Sequence, residues 1–256
     1  MLAIERRNAI LAKLSVEGKV VVSDLATMFS VTEETIRRDL EKLDRDGLAC
    51  KTYGGAVKND SFKIDLPFHV RKQKNVESKQ KIAATISGMI KDGDYIMLDS
   101  SSTALYVIKN ILSRKRITLI TNSVEILLEL CNQHDWTIIS TGGTLKEGGL
   151  SLEGYQAERM IEGYHVDLAI CSCKGIDSVA GVTDSNERDS QLKKAYFAAA
   201  KKKILAVDST KFDIRSFVKI CDIKDLDYIV TNEDPGENWK NVIEQQGVEL
   251  VVENQE

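Results

Sequence analysis

Nowhere in the 256 residues does an apolar run approach the roughly 20 positions that a helix needs to cross a bilayer. The opening MLAIERRNAI carries charge where a signal peptide holds its apolar core, so no membrane partner and a cytoplasmic location are expected. The cysteines Cys50, Cys131, Cys171, Cys173 and Cys221 are odd in number and scattered, and a reducing compartment would leave them as thiols. Only Cys171 and Cys173 are close, two positions apart in DLAICSC and so on one side of a strand. With no second ligand pair beside them they read as packed side chains, and no metal site is expected. No GxxxxGK occurs, and the glycines of TGGTLKEGG lack the spacing of a dinucleotide loop, so no cofactor is expected. A formal net charge of −4 argues against a protein that coats nucleic acid indiscriminately but allows a local basic surface.

What is present is a globular composition, 43% hydrophobic and 29% charged, over a length comfortable for two domains. Apolar residues Ile4, Ile10, Leu11 and Leu14 fall at helical spacing, with Gly18 as a stop signal. After a β-branched run at 20–22, Ser23 is the candidate N-cap of a short helix with Asp24 in its first turn and Leu25, Ala26 and Phe29 inward. Ser30 and Val31 make a turn, Thr32 can cap a third helix, and Ile36, Leu40 and Leu43 form its inner stripe.

That stripe leaves Arg38 and Arg45 on the opposite side and Arg37 on the flank. One explanation is a solvated face that pairs with itself, since Glu34 and Arg38, Arg37 and Glu41, and Glu41 and Arg45 are spaced i, i+4. The other comes from context. A short helix, a tight turn and a second capped helix form a helix-turn-helix, whose second helix places such side chains in the DNA major groove. LACKTYGGAVK then reads as a hairpin around Gly54 and Gly55, a pair permissive of positive φ. It would be a wing, with Lys51 and Lys58 placed for phosphates or simply guarding an edge strand.

ERRNAIL, VVVSDLATMFSVTEETIRRDLEKL and the YGGA hairpin together resemble the winged helix-turn-helix of DeoR-type transcriptional regulators. The resemblance implies that Arg37 and Arg38 are the arginine pair of the recognition helix, with Thr32 and Thr35 near the DNA backbone. Ser23, Lys42 and Lys51 complete the expected DNA-binding set. Tyr53 departs from the histidine that many members carry before the two glycines.

The DNA-binding domain is expected over residues 1–58, a linker over 59–74 and a second domain over 75–256. The linker contains Pro67 and is basic, which suits either a solubilising connector or extra phosphate contact. Beyond it Ile82, Ile86 and Ile90 mark a helix, and YIMLD, ITLIT, TIIS, DLAICSC, KILAV, YIV and VELVV then alternate with helical segments. Such alternation predicts an α/β fold with a doubly wound, mostly parallel sheet, in which ligands bind outside the carboxyl ends of the strands. Polar loops follow successive strands there: 99–103 (DSSST), 121–123 (TNS), 141–144 (TGGT) and 208–211 (DSTK). The first two precede helices, whose free amides and positive dipole end receive an anion. Singly each loop is ordinary cap and turn chemistry. Together they predict a small, oxygen-rich, anionic ligand.

This half resembles the DeoR-type effector domain, similar in fold to ribose-5-phosphate isomerases, through DSSST, TNS, TGG, KGID, GVTDSNE and DSTKF. The resemblance implies a phosphorylated sugar as effector. The expected effector residues are Asp99, Ser100, Ser101, Ser102, Thr103, Thr121, Asn122, Ser123, Gly142, Gly143, Lys174, Asp184, Glu187 and Lys211. Lys174 stands where many relatives have a small residue and either touches the anion or snorkels from a strand end.

The expected protein is a sequence-specific regulator, a repressor of sugar-metabolism genes, binding double-stranded operator DNA as a homo-oligomer. The alternative is a sugar-phosphate isomerase with an appended helical domain, using Asp99 or Glu187 as base and Lys174 or Lys211 to steady an enediolate.

Overall fold

A computed structural model describes residues 2–45, 48–58, 68–146 and 149–253. The chain forms two compact units, Met1–Pro67 and Phe68–Glu256.

The first unit runs α1 (Ala3–Glu17), β1 (Lys19–Val21), α2 (Val22–Phe29), α3 (Glu33–Arg45), β2 (Ala49–Thr52) and β3 (Gly55–Lys58). Gly18 ends α1 at φ 73°, donating its amide to the Leu14 carbonyl, and Ser30 ends α2 in the left-handed conformation. Ile10, Leu14, Leu25, Ile36, Leu40 and Leu43 meet in one buried core, as the helical stripes required. The strands pair antiparallel in the order β1-β3-β2, giving the wing.

Three expectations are corrected here. Ser23 does not cap α2; Val21 occupies the cap position, and Ser23 lies within the helix, exposed. Gly54 and Gly55 do not adopt positive φ. Gly55 is needed instead for close approach, because a Cβ there would lie 1.9 Å from the Val20 carbonyl oxygen across the β1–β3 pairing. The charge pairs differ in part: Arg38 bonds Glu34 at 3.2 Å as expected, but Arg37 bonds Glu33 at 2.7 Å and Glu41 turns to Lys51 of the wing.

The second unit continues with α4 (Phe68–Gln73), α5 (Val76–Met89), β4 (Tyr95–Leu98), α6 (Ser102–Ile111), β5 (Thr118–Thr121), α7 (Val124–Glu129) and β6 (Thr137–Ser140). It proceeds through β7 (Thr144–Leu145), β8 (Leu152–Glu153), α8 (Tyr155–Ile161), β9 (Val166–Cys171), β10 (Gly175–Asp177), β11 (Gly181–Asp184) and α9 (Glu187–Ala198). It ends with β12 (Ala200–Ala206), β13 (Val218–Cys221), β14 (Tyr228–Thr231), α10 (Glu237–Gln245) and β15 (Glu249–Val252).

Seven strands form one sheet in the order β15-β14-β12-β9-β4-β5-β6, every pairing parallel. Strand residues alternate between two apolar layers: Ile96 and Leu98 pack with α5 and α6, whereas Met97 packs with α8, α9 and α10. Cys171 and Cys173 fall in the second layer together, as packed side chains. The antiparallel sheet β10-β11-β13 and the hairpin β7-β8 lie outside the expected strand–helix alternation.

The linker expected over 59–74 is corrected in its second half. Residues 68–73 form α4, which buries Phe68 in the second unit's core, and the Tyr106 hydroxyl donates to the Lys72 carbonyl at 3.2 Å. Residues 59–67 lie outside the described residues.

Candidate functional site

The chain leaves β4 through α6 toward β5 on one side, and leaves β9 toward β12 on the other, so strand order reverses between β4 and β9. In an open parallel sheet this switch point opens a crevice at the carboxyl edge. Asp99, immediately after β4, spans it: Oδ1 accepts from the Ser101 amide at 3.1 Å and Oδ2 from the Ser172 amide, beyond β9, at 2.9 Å.

Two lysines converge on the same Ser172. Lys193 of α9 donates to the Ser172 carbonyl at 2.8 Å, and Lys211, in the 3₁₀ turn Ser209–Lys211, donates to the Ser172 hydroxyl at 3.1 Å. Lys193 also bonds Asp184 and lies 3.5 Å from Asp99 Oδ2. Burial would strip its proton, but the carboxylates of Asp184, Asp99 and Asp189 hold its pKa far above the usual lysine range. Burial likewise raises the Asp184 carboxyl, yet the Lys193 charge and hydrogen bond, the Ser185 amide and the Lys174 charge bring it below the ordinary value. Asp208, 3.5 Å from Lys211, is also held low; burial opposes this, while Lys211, the Thr210 bonds and Lys79 outweigh it.

The hydroxyl loops beside this centre are largely occupied by the fold. Ser101 caps α6 through the Ala104 amide at 3.0 Å, and Ser123 caps α7 through the Ile126 amide at 3.3 Å. Thr121 donates to the Leu98 carbonyl at 2.8 Å, and Asn122 donates to the Leu152 carbonyl at 3.0 Å while accepting from Tyr196 at 3.3 Å. Ser100 is half-buried, and Ser102 and Thr103 are buried in the first turn of α6, whose leading amides have no partner within the helix. Gly142 and Gly143 adopt φ 63° and 101°, and a Cβ on Gly143 would lie 2.7 Å from the Glu153 carbonyl oxygen. They let this loop turn against β8, and the chain enters β7 rather than a helix. Lys174, half-buried, pairs its amide with the Thr183 carbonyl at 3.0 Å and acts electrostatically on Asp184. Glu187 opens α9 and is exposed.

The structure thus links Asp99, Asp184 and Lys211 through Ser172 and Lys193, two residues absent from the sequence-based set. The signal for Lys193 was legible: it lies three positions from both Ser190 and Tyr196 on the buried side of α9, where a lysine requires partners. Ser172 gave no such signal.

In the winged unit, the Thr32 hydroxyl accepts from the Thr35 amide at 3.2 Å, capping α3. The inner face of α3 carries Asp39, buried against Arg6 and Arg7. Arg38 is the most open of the pair, its side chain 76% exposed against 47% for Arg37. Ser23, Thr32, Lys42, Lys51 and Tyr53 are exposed as well, and Thr35 is half-buried.

A winged helix-turn-helix followed by a parallel α/β domain with charged side chains gathered at its switch point is the architecture of a two-domain regulator of transcription. The DeoR-like helix-turn-helix domain matches residues 6–62, and the DeoR C terminal sensor domain matches residues 74–233. This chain belongs to the DeoR family. It is 41% identical to the uncharacterized HTH-type transcriptional regulator YulB of Bacillus subtilis, over 91% of this chain and 90% of that protein. It is 32% identical to the HTH-type transcriptional regulator GolR of Listeria innocua, over 91% of each. Among solved structures, ribose 5-phosphate isomerase A of Methanocaldococcus jannaschii matches at 18% identity and a TM-score of 0.41, covering 54% of this chain and 55% of that one. No helix among the described residues is long and apolar enough to cross a membrane. No group of three or more histidine, cysteine, aspartate or glutamate side chains among them could hold a metal.

Proposed function

We propose that this regulator binds double-stranded operator DNA through α3 and the wing, and that a phosphorylated sugar in the switch-point crevice controls that binding. The convergence of Lys211 and Lys193 on Ser172, beside the first turn of α6, carries the ligand half of the reading. Lys211 and the α6 amides receive the phosphate, because charge-assisted bonds to an anion are the stronger ones. Asp99 and Asp184 then face the sugar, since carboxylates discriminate hydroxyl patterns. Arg37 and Arg38 supply the base and phosphate contacts, with Thr32, Thr35, Lys42 and Lys51 around them. The protein acts as a cytoplasmic repressor of sugar-metabolism genes and works as a homo-oligomer, because a two-fold operator is matched by paired heads.

Binding without turnover suits the crevice better than isomerisation. Of the two carboxylates that would serve as base, Asp99 has its oxygens taken by the Ser101 and Ser172 amides with the Lys193 ammonium 3.5 Å away, and Glu187 is exposed at the start of α9. A thermal-stability screen of aldose and ketose phosphates tests the reading, since a ligand that prefers the folded state raises its apparent stability with concentration. Stabilisation by at least one sugar phosphate with no isomerised product is expected. Catalytic accumulation of product would overturn it.

A further inference from the structure

We propose that the corner between α4 and α5 passes ligand occupancy at the 208–211 turn to α4, the helix that opens the second unit. The proposal rests on the anion site argued above. Asn75 takes the left-handed conformation (φ 49°, ψ 46°) at the start of α5, and its Nδ2 donates to Asp208 Oδ1 and Thr210 Oγ1, each at 3.3 Å. Four residues later, Lys79 is only 5% exposed. Its ammonium donates to the Arg71 carbonyl in the last turn of α4, at 2.5 Å, and to the Lys74 carbonyl just past it. A cation there satisfies orphan carbonyls and favours the negative end of the helix. The Lys72 carbonyl takes the Tyr106 hydroxyl. The end of α4 is therefore gripped by side chains from α5 and α6, and Asn75 fastens the same corner to the turn that carries Lys211.

Lys79 also feels the ligand site directly. Burial, and next the charge of Lys211, lower its pKa to about 8, while Asp208 pulls the other way. An anion bound at Lys211 cancels that repulsion and attracts the Lys79 ammonium, in competition with the α4 carbonyls that hold it. The Asn75 bonds hold the corner to the 208–211 turn, so Lys79 answers the charge at Lys211 only while they hold, and occupancy and the grip on α4 are coupled with no ligand contact to α4 itself. The N-terminal end of α4 continues into residues 59–67, which lead back to the wing. A ligand can shift such an equilibrium only by its differential affinity for the two arrangements, and here the differential interaction has a named source.

Hydrogen exchange on the full-length protein tests this, with inorganic phosphate as probe against chloride at matched ionic strength and thermal stability measured in parallel. Phosphate should change exchange across residues 69–75 severalfold in the parent protein. Asn75→Gly keeps the left-handed backbone but removes the bonds to Asp208 and Thr210; in it the exchange response should largely vanish while the phosphate-induced rise in Tm remains. Lys79→Met should lose the response too, and if that variant does not fold, Asn75→Gly decides alone. A full α4 response in Asn75→Gly, or thermal stabilisation of the parent without any α4 response, overturns the proposal. Absence of any thermal stabilisation by phosphate would instead sink the anion site, and the proposal with it.

Discussion

Lys193 stands between two aspartates at the carboxyl edge of the sheet, bonded to Asp184 and 3.5 Å from Asp99 Oδ2, with its side chain 11% exposed. Removing one partner of a buried pair leaves the other charge uncompensated, at a cost of about 3–5 kcal/mol. Lys193→Met is expected to destabilise the second unit by that order in urea unfolding, and Asp184→Asn combined with it should recover part of the loss. Recovery of none would mean that the two side chains act independently.

The same pair sets an acid dependence. The Asp184 carboxyl titrates lower folded than unfolded, so its stabilisation is complete above the unfolded value of about 3.9 and disappears as pH falls through the folded one. The stability gap between the parent protein and Asp184→Asn should therefore narrow as pH drops below about 4. A gap that widens on acidification would contradict the assignment.

Arg37 and Arg38 are paired to Glu33 and Glu34 on an open helix face, where such ion pairs are worth about 0–1 kcal/mol. Alanine at either position should leave the melting temperature nearly unchanged and weaken DNA binding by roughly 1–3 kcal/mol for a base-reading contact. The measurement is a DNA titration at one fixed salt concentration. Unchanged affinity in both variants would return these residues to a self-paired surface.

Gly55→Ala places a methyl group 1.9 Å from the Val20 carbonyl oxygen, whereas Gly54→Ala meets nothing within 4 Å. Forced overpacking of this kind costs about 1–3 kcal/mol. Chemical unfolding of the winged unit should show a clear loss for the first substitution and a small one for the second. Equal effects would place the glycine requirement in the turn rather than in the strand contact.

Thiol labelling should follow burial. Burial pushes the Cys173 and Cys221 thiols up to about 12 and holds that of Cys171 well above the ordinary thiol range, while Cys131 is exposed. Thiolates are the reactive form, so Cys131 should be modified first, and Cys171 and Cys173 only on unfolding. Mass spectrometry of proteolytic peptides distinguishes the order.

Much of this architecture is legible in the residues because local and global preferences agree. The stripe of Ile36, Leu40 and Leu43 gives α3 its inner face, and apolar runs such as YIML and LAIC give strands buried on both sides. Short strands were not legible: Gly175–Asp177 and Gly181–Asp184 are too brief for a period and are fixed by pairing with each other and with β13. For the charged cluster at the carboxyl edge, Asp99 and Lys211 lie in loops that follow strands, whereas Ser172 joins them through the β4–β9 adjacency, a relation between segments about 70 residues apart that no local pattern carries. In the hydroxyl loops Thr121, Asn122 and Ser123 also serve the fold, through bonds with the Leu98 and Leu152 carbonyls and the Ile126 amide.

The most direct test of the central claim is a calorimetric titration of sugar phosphates and their unphosphorylated parents into the protein and into Lys211→Ala. At least one phosphorylated sugar should bind the parent protein far more tightly than its parent sugar does. Lys211→Ala should erase most of that difference, because it removes the charge 3.1 Å from the Ser172 hydroxyl at the proposed phosphate end. Equal affinity for a phosphorylated sugar and its parent, or a phosphate preference that survives in Lys211→Ala, would contradict the account.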